Sequence, residues 1–214
     1  MPCTMHIARV AACVLALWLG GAAFAQTAST PPERSSSPDA RAQLHGAALV
    51  RALRTGGLVI YFRHTATDFS RNDRATANYD DCANQRLLSE QGRSDARLIG
   101  QTIAALKLPL GEVRASPMCR TMEHARLMLG AVTPTVAMRE LSAPGEYLGL
   151  KQLLSARVAP GSNRWMIGHG TPFRSVAGPP HLAEGEAIVL KPSGDGWVVL
   201  ARLIVNDWAA LPAR

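Results

Sequence analysis

The sequence predicts an α/β fold of three layers, with helices on both faces of a largely parallel central sheet. The first sign is Leu58-Val59-Ile60-Tyr61-Phe62, an unbroken apolar run of strand length. A strand without polar alternation is one covered on both faces, as in the middle of a parallel sheet. The second sign is that further strand-like segments alternate with segments of helical period, the pattern of successive β–α units. The third is size: setting aside a leader of 25 of the 214 residues leaves 214 − 25 = 189, enough for one domain with a proper core.

Residues 1–25 read as a secretory signal peptide. Arg9 supplies a basic start, 10–23 is apolar, and Ala23-Phe24-Ala25 is a small-x-small cleavage site before Gln26. The apolar run is shorter than the ~20 residues a spanning helix requires. No cysteine follows it to carry a lipid, so the expected product has no membrane span once the signal is removed. Residues 26–40, rich in Thr, Ser and Pro, read as a disordered lead-in, and 41–214 as a single folded domain.

Within that domain a helix is expected over about 41–54, stopped by Gly56-Gly57. The strand at 58–62 runs straight into Arg63-His64-Thr65, and residues 66–84 are polar and broken, a long loop of the functional kind. Ser89 caps a second helix reaching about 106, on which Ala96, Ile99, Gly100, Ile103 and Ala104 recur at helical spacing. A short strand at 113–116 leads to a helix at 117–129. Trp165-Met166-Ile167 is another short strand, ending at Gly168-His169-Gly170, with Thr171 as a candidate helix cap. Segments 187–190 and 197–204 form a closing hairpin around Ser193-Gly194-Asp195-Gly196.

The formal charge is +7, or +6 without the leader, whose one charged residue is Arg9. The basic excess is arginine, apart from Lys107, Lys151 and Lys191, and arginine's fork matches phosphate oxygens. Basic residues are scattered, without a patch interleaved with aromatics, so nucleic acid is not expected as a partner. Cys82 and Cys119 remain after the leader; they lack metal-ligand spacing, and neither an HExxH motif nor an Asp cluster is present, so no metal or other cofactor is expected. An exported chain meets an oxidising compartment, which leaves two readings open: a Cys82–Cys119 disulfide, or two separate thiols.

Three pieces carry chemistry. Arg63-His64, Ser116-Pro117-x-x-Arg120 and Gly168-His169-Gly170 each follow an expected strand, and ligands of open parallel sheets bind beyond the carboxyl ends of the strands. Two arginines can fork onto phosphate oxygens, and an imidazole can attack phosphorus. His45, His124 and His181 have no such context and read as structural; Gln85-Arg86 and Arg93 read as positioning the loop and the second helix.

From Leu58 to Leu190 the chain resembles the histidine phosphatase superfamily, in its smaller, phosphoglycerate-mutase-like branch. The resemblance rests on Tyr61-Phe62-Arg63-His64-Thr65, on Leu88-Ser89-Glu90-Gln91-Gly92-Arg93, on Ser116-Pro117-Met118-Cys119-Arg120-Thr121-Met122-Glu123 and on Gly168-His169-Gly170, in that order. It implies a phosphoglycerate-mutase-like fold, His64 as the nucleophile that becomes phosphorylated, and Arg63, Arg120 and His169 as the groups holding the phosphoryl oxygens. A dianion facing His169 should favour its charged form. Thr65 stands where the family usually has glycine, and His124 where it usually has threonine. The leaving-group acid is not fixed: Glu140, Glu146 and Glu184 are its candidates, and some relatives work without one.

The function expected from these features is a phosphomonoester hydrolase, periplasmic or secreted, acting on a small-molecule or envelope-linked phosphate ester. A mutase or a phosphohistidine-signalling role would need a cytoplasmic address. The alternative is a catalytically weak or inactive phosphoryl-binding module of the same fold.

Overall fold

The computed structural model describes residues 43–141 and 146–212; the expected signal peptide, the lead-in and the start of the expected helix at 41–54 lie outside the described residues. Six strands are described: β1 (Leu58–Arg63), β2 (Val113–Ala115), β3 (Thr133–Pro134), β4 (Asn163–Gly168), β5 (Ala187–Pro192) and β6 (Trp197–Leu203). They form one sheet in the order β3-β2-β4-β1-β5-β6. The first four are parallel, and β5 and β6 close the sheet as the expected antiparallel hairpin. The helices are α1 (Gly46–Thr55), α2 (Glu90–Ala105), α3 (Cys119–Leu129), α4 (Leu148–Ser155), α5 (Gly170–Ala177) and α6 (Val205–Ala209).

Pleating sends successive side chains of β1 to opposite faces, and both faces are covered, as the unbroken apolar run requires. Leu58, Ile60 and Phe62 enter a core with Leu49 and Leu53 of α1, Ile99 and Ile103 of α2, Ala125 and Met128 of α3, and Trp208 of α6. Val59 and Tyr61 enter a second core with Leu150 and Leu154 of α4 and Phe173 of α5. The result is the three-layer α/β/α arrangement. Among the described residues no helix is long and apolar enough to cross a membrane.

Local details refine the expected boundaries. Ser89 caps α2, its hydroxyl accepting the Gly92 N–H at 3.1 Å. α1 starts later than the periodicity suggests, because the Leu44 N–H bonds to Leu200 O of β6 instead of joining a helical turn. Thr171 does not cap α5: β4 pairs through Gly168, so the helix starts at once, with His169 in the cap position and Thr171 inside the first turn. β3, α4 and α6 were not expected from the sequence.

The long loop after β1 is tied down at several points. Its base closes through Asp68 N–H to Leu87 O and Ser89 N–H to Ala66 O, both 3.0 Å. Gln85 donates to Tyr79 O (2.9 Å) and accepts the Cys119 N–H (2.9 Å), joining loop to α3. Cys82 and Cys119 are joined by a disulfide with Cα atoms 5.8 Å apart, within the span such a bridge accepts. Of the two readings open for the cysteines, the bridge is the one the fold adopts.

Candidate active site

Because β1, β2 and β4 are parallel and in register, their carboxyl ends meet at one edge: Arg63 pairs with Gly168, and Ala115 with Ile167. The ladder continues for one residue beyond, His64 N–H to Gly168 O and Ser116 N–H to Ile167 O, each 3.0 Å. A cavity of about 340 Å³ lies outside this edge. Arg63, His64, Arg120 and His169, distant in sequence, all line it; Arg86, Arg139, Tyr147 and His181 complete its polar walls.

His64 is buried, with Nδ1 3.0 Å from Thr65 O. A carbonyl only accepts, so Nδ1 carries the proton and Nε2 keeps its lone pair. Burial lowers the His64 pKa to about 3; the Thr65 bond opposes this, and the charges of Arg120 and Arg63 reinforce it. The ring is therefore neutral and nucleophilic at Nε2 across the physiological range. Thr65 is fully buried and away from the cavity walls. Its N–H donates to Nδ1 of His124 at 3.2 Å, so the two residues that differ from the pattern the sequence resembles meet each other. His124, fully buried and packed edge-on against Phe62, is the structural histidine the sequence suggested.

His169 sits with its ring centroid 5.5 Å from that of His64. The Tyr61 hydroxyl accepts the His169 N–H and donates to its carbonyl, both at 2.9 Å, which fixes the backbone at this point. That hydroxyl occupies the space a side chain on residue 168 would need, which explains Gly168 in the motif. Nε2 of His169 lies 2.8 Å from Ser116 Oγ. Burial, followed by Arg120 and His64, lowers the His169 pKa well below its ordinary value. The protein's own groups thus oppose the charged form; only a dianion would favour it.

The two arginines are held by separate sets of partners. Arg63 donates to Leu182 O (2.8 Å) and to Glu184 Oε1 (3.2 Å). Arg120 donates to Asp73 Oδ1 (3.0 Å) and Arg86 O (3.2 Å). Burial works against ionisation of Asp73, but the Arg86 N–H and the Arg120 guanidinium outweigh it and hold the carboxyl below the usual range. A guanidinium oriented by one edge keeps other N–H groups free to fork onto an anion.

The three candidate acids are not brought to the cavity walls. Glu184 accepts the Thr67 N–H (3.1 Å) and hydroxyl (2.8 Å) as well as Arg63, which makes it a strut. Exposed Glu140 is engaged by the Tyr79 hydroxyl beside a neighbouring cavity, and Glu146 is exposed. Among the described residues, no carboxylate lines the cavity and no three His, Cys, Asp or Glu side chains form a metal-binding group.

The sequence reading missed Asp73, Arg139, Tyr147 and His181, which sit on loops without a motif. Arg86 both positions the loop, as expected, and lines the cavity, its guanidinium 4.8 Å from the Phe69 ring centre. Arg93 joins helices only, bonding Glu123 of α3 at 2.7 Å. His181, read as structural, belongs to the wall. His45 occupies the N-cap position of α1 without a side-chain capping bond and is exposed.

The sequence matches no family model and no curated protein. Solved structures do resemble the fold. Phosphoserine phosphatase from Entamoeba histolytica in complex with 3-phosphoglyceric acid aligns over 71% of this chain and 98% of its own, with TM-score 0.52 and 12% identity. The protein histidine phosphatase SixA complexed with tungstate aligns over 70% and 98%, with TM-score 0.48 and 14% identity. Mycobacterial glucosyl-3-phosphoglycerate phosphatase Rv2419c with inorganic phosphate aligns over 67% and 95%, with TM-score 0.44 and 14% identity. The chain therefore has the phosphoglycerate-mutase-like α/β fold that its four motifs imply.

Proposed function

We propose that this chain is an exported phosphomonoester hydrolase working through a phosphohistidine on His64. The observation that carries the reading is the convergence of Arg63, His64, Arg120 and His169 on one cavity at the sheet edge. Nε2 of His64, unprotonated because Nδ1 is bonded to Thr65 O, attacks phosphorus. Arg63 and Arg120 fork onto the non-bridging oxygens, and His169, backed by Ser116, adds a further hydrogen bond as charge spreads in the transition state. Water then cleaves the phosphohistidine.

The reading agrees with the name of the structure of TM-score 0.52, a phosphoserine phosphatase. Export is supported by the signal-like residues 1–25 and by the disulfide, a bond of oxidising compartments. A phosphate ester of the cell envelope suits that address. No metal is required, since two arginines neutralise the phosphate; activity should survive dialysis against EDTA, and a loss restored by a divalent metal would contradict this.

The test is hydrolysis of an aryl phosphate, whose good leaving group needs little acid help. His64→Ala should abolish it, and His45→Ala, at an exposed helix cap away from the cavity, should leave it nearly intact. Full activity in His64→Ala would overturn the reading. A second reading, a phosphoryl-binding module without turnover, is favoured by one observation, the lack of a wall carboxylate among the described residues. It predicts phosphate binding with no aryl phosphatase activity. Export is checked separately, by finding the chain outside the cytoplasm with Gln26 as its first residue.

A further inference from the structure

An alkoxide is a poor leaving group, so hydrolysis of an alkyl phosphate calls for a proton donor on the side where the ester oxygen departs. Glu140, Glu146 and Glu184 do not stand there, as described above. Phosphoryl transfer is close to in-line, so the leaving oxygen points away from the nucleophile. His64 and His169 are buried at the cavity floor, which directs the leaving oxygen toward the mouth. The exposed histidine in the wall is His181.

His181 is held in a defined orientation. Its Nδ1 lies 2.9 Å from Leu182 O, the same carbonyl that accepts Arg63 Nη1 at 2.8 Å. Nδ1 therefore carries a proton, and Nε2 is the nitrogen left to exchange one. The ring lies against Gly170, in space that a side chain there would fill. The last glycine of Gly168-His169-Gly170 thus makes room for the His181 ring. The carbonyl that orients Arg63 orients His181 as well, which locks proton donor and phosphate binder into one unit.

Building on the proposed phosphatase reading, we infer that His181 is the catalytic residue that protonates the leaving group and later deprotonates the attacking water. In the first step the His64 Nε2 lone pair bonds to phosphorus. The P–O ester bond breaks with its electron pair on oxygen, and that oxygen takes the proton from His181 Nε2, releasing an alcohol. In the second step water attacks phosphorus and gives a proton to His181 Nε2. The P–N bond breaks with its pair returning to His64, and phosphate leaves with the enzyme restored. The substrate dianion offsets the positive charge that protonated His181 adds to a wall already carrying Arg63, Arg86, Arg120 and Arg139.

The test compares p-nitrophenyl phosphate, which leaves without acid help, with glycerol 2-phosphate, which does not, in His181→Gln and Tyr147→Phe. For His181→Gln, kcat/KM, which reports the first step alone, should fall by about 100-fold or more on glycerol 2-phosphate and change by less than about 5-fold on the aryl ester. Retained aryl activity also shows that the variant is folded. Tyr147→Phe should leave the ratio of the two rates unchanged. Equal losses of His181→Gln on both substrates, no loss on the alkyl ester, or the ratio change appearing in Tyr147→Phe instead would each overturn the assignment. A wild-type chain without His64-dependent aryl phosphatase activity would overturn the phosphatase reading itself, and this inference with it, before any His181 variant is compared.

Discussion

The floor and the mouth of the cavity are built by different means. At the floor, His64, Arg120 and His169 are 2%, 4% and 7% exposed; His64 and His169 follow directly on β1 and β4, and Arg120 stands in the first turn of α3, after β2. Their surroundings fix them: Thr65 O for His64, the Tyr61 hydroxyl and Ser116 for His169, Asp73 for Arg120. At the mouth, Arg86, Arg139, Tyr147 and His181 come from connecting segments and are half-buried or exposed. Under the proposed reading the contrast separates two tasks: sheet topology sets where phosphorus is held, and loops set what leaves. Each perturbation below breaks or sharpens that division.

The largest effect belongs to the floor. Arg120→Ala removes a guanidinium from the transferring phosphoryl group and leaves Asp73 facing the site; kcat/KM for an aryl phosphate should fall by about 100- to 1000-fold. A loss under about 10-fold would mean that the floor does not carry the phosphoryl charge.

The second concerns the seam between the two regions. The disulfide joins residues 37 apart and ties the loop wall to the helix that carries Arg120. Replacing both cysteines by serine should lower stability by ~3–4 kcal/mol through the entropy of the unfolded chain. Urea unfolding measures it, and an unchanged midpoint would show the loop to be held by its hydrogen bonds alone.

The third follows from burial of neutral histidines. In the unfolded chain a histidine takes up its proton near pH 6.5. Folded His64 and His124 resist until about pH 3, so between these values the unfolded state binds more protons. Stability should therefore fall as pH drops below 6.5, by ~2 kcal/mol for each ring on reaching about pH 5. His169 acts in the same direction. Unfolding measured across this range checks it; a flat profile would mean that the rings are not buried neutral.

The smallest effect belongs to the mouth. Arg139→Ala should raise KM by about 10-fold or less with kcat nearly unchanged, because a wall arginine away from the strand ends contributes mainly to uniform binding. A fall in kcat as large as that of Arg120→Ala would erase the division between floor and mouth.

The same division governs what the sequence reveals. Leu58–Phe62, Trp165–Ile167 and the residues just beyond them were legible because an apolar strand ending in a polar motif fixes both element and position. Asp73, Arg139 and His181 were not, since chain folding alone brings a loop side chain to a cavity. Thr171 looked like a cap because its type suits one, but uninterrupted pairing of β4 to Gly168 left the position to His169. α4 is short, and α6, only five residues long, is fixed by burial of Trp208, a tertiary contact with no local period. The three glutamates had the right chemistry and no geometric constraint, and Glu184 was taken up by Arg63 and Thr67.

The central claim is that His64 takes the phosphoryl group from substrate. Rapid quenching of the enzyme during turnover of a labelled aryl phosphate, followed by mapping of the label, tests it directly. The account predicts acid-labile, alkali-stable phosphate on His64, absent from His64→Ala. Label on another residue, or full turnover by His64→Ala, would contradict it.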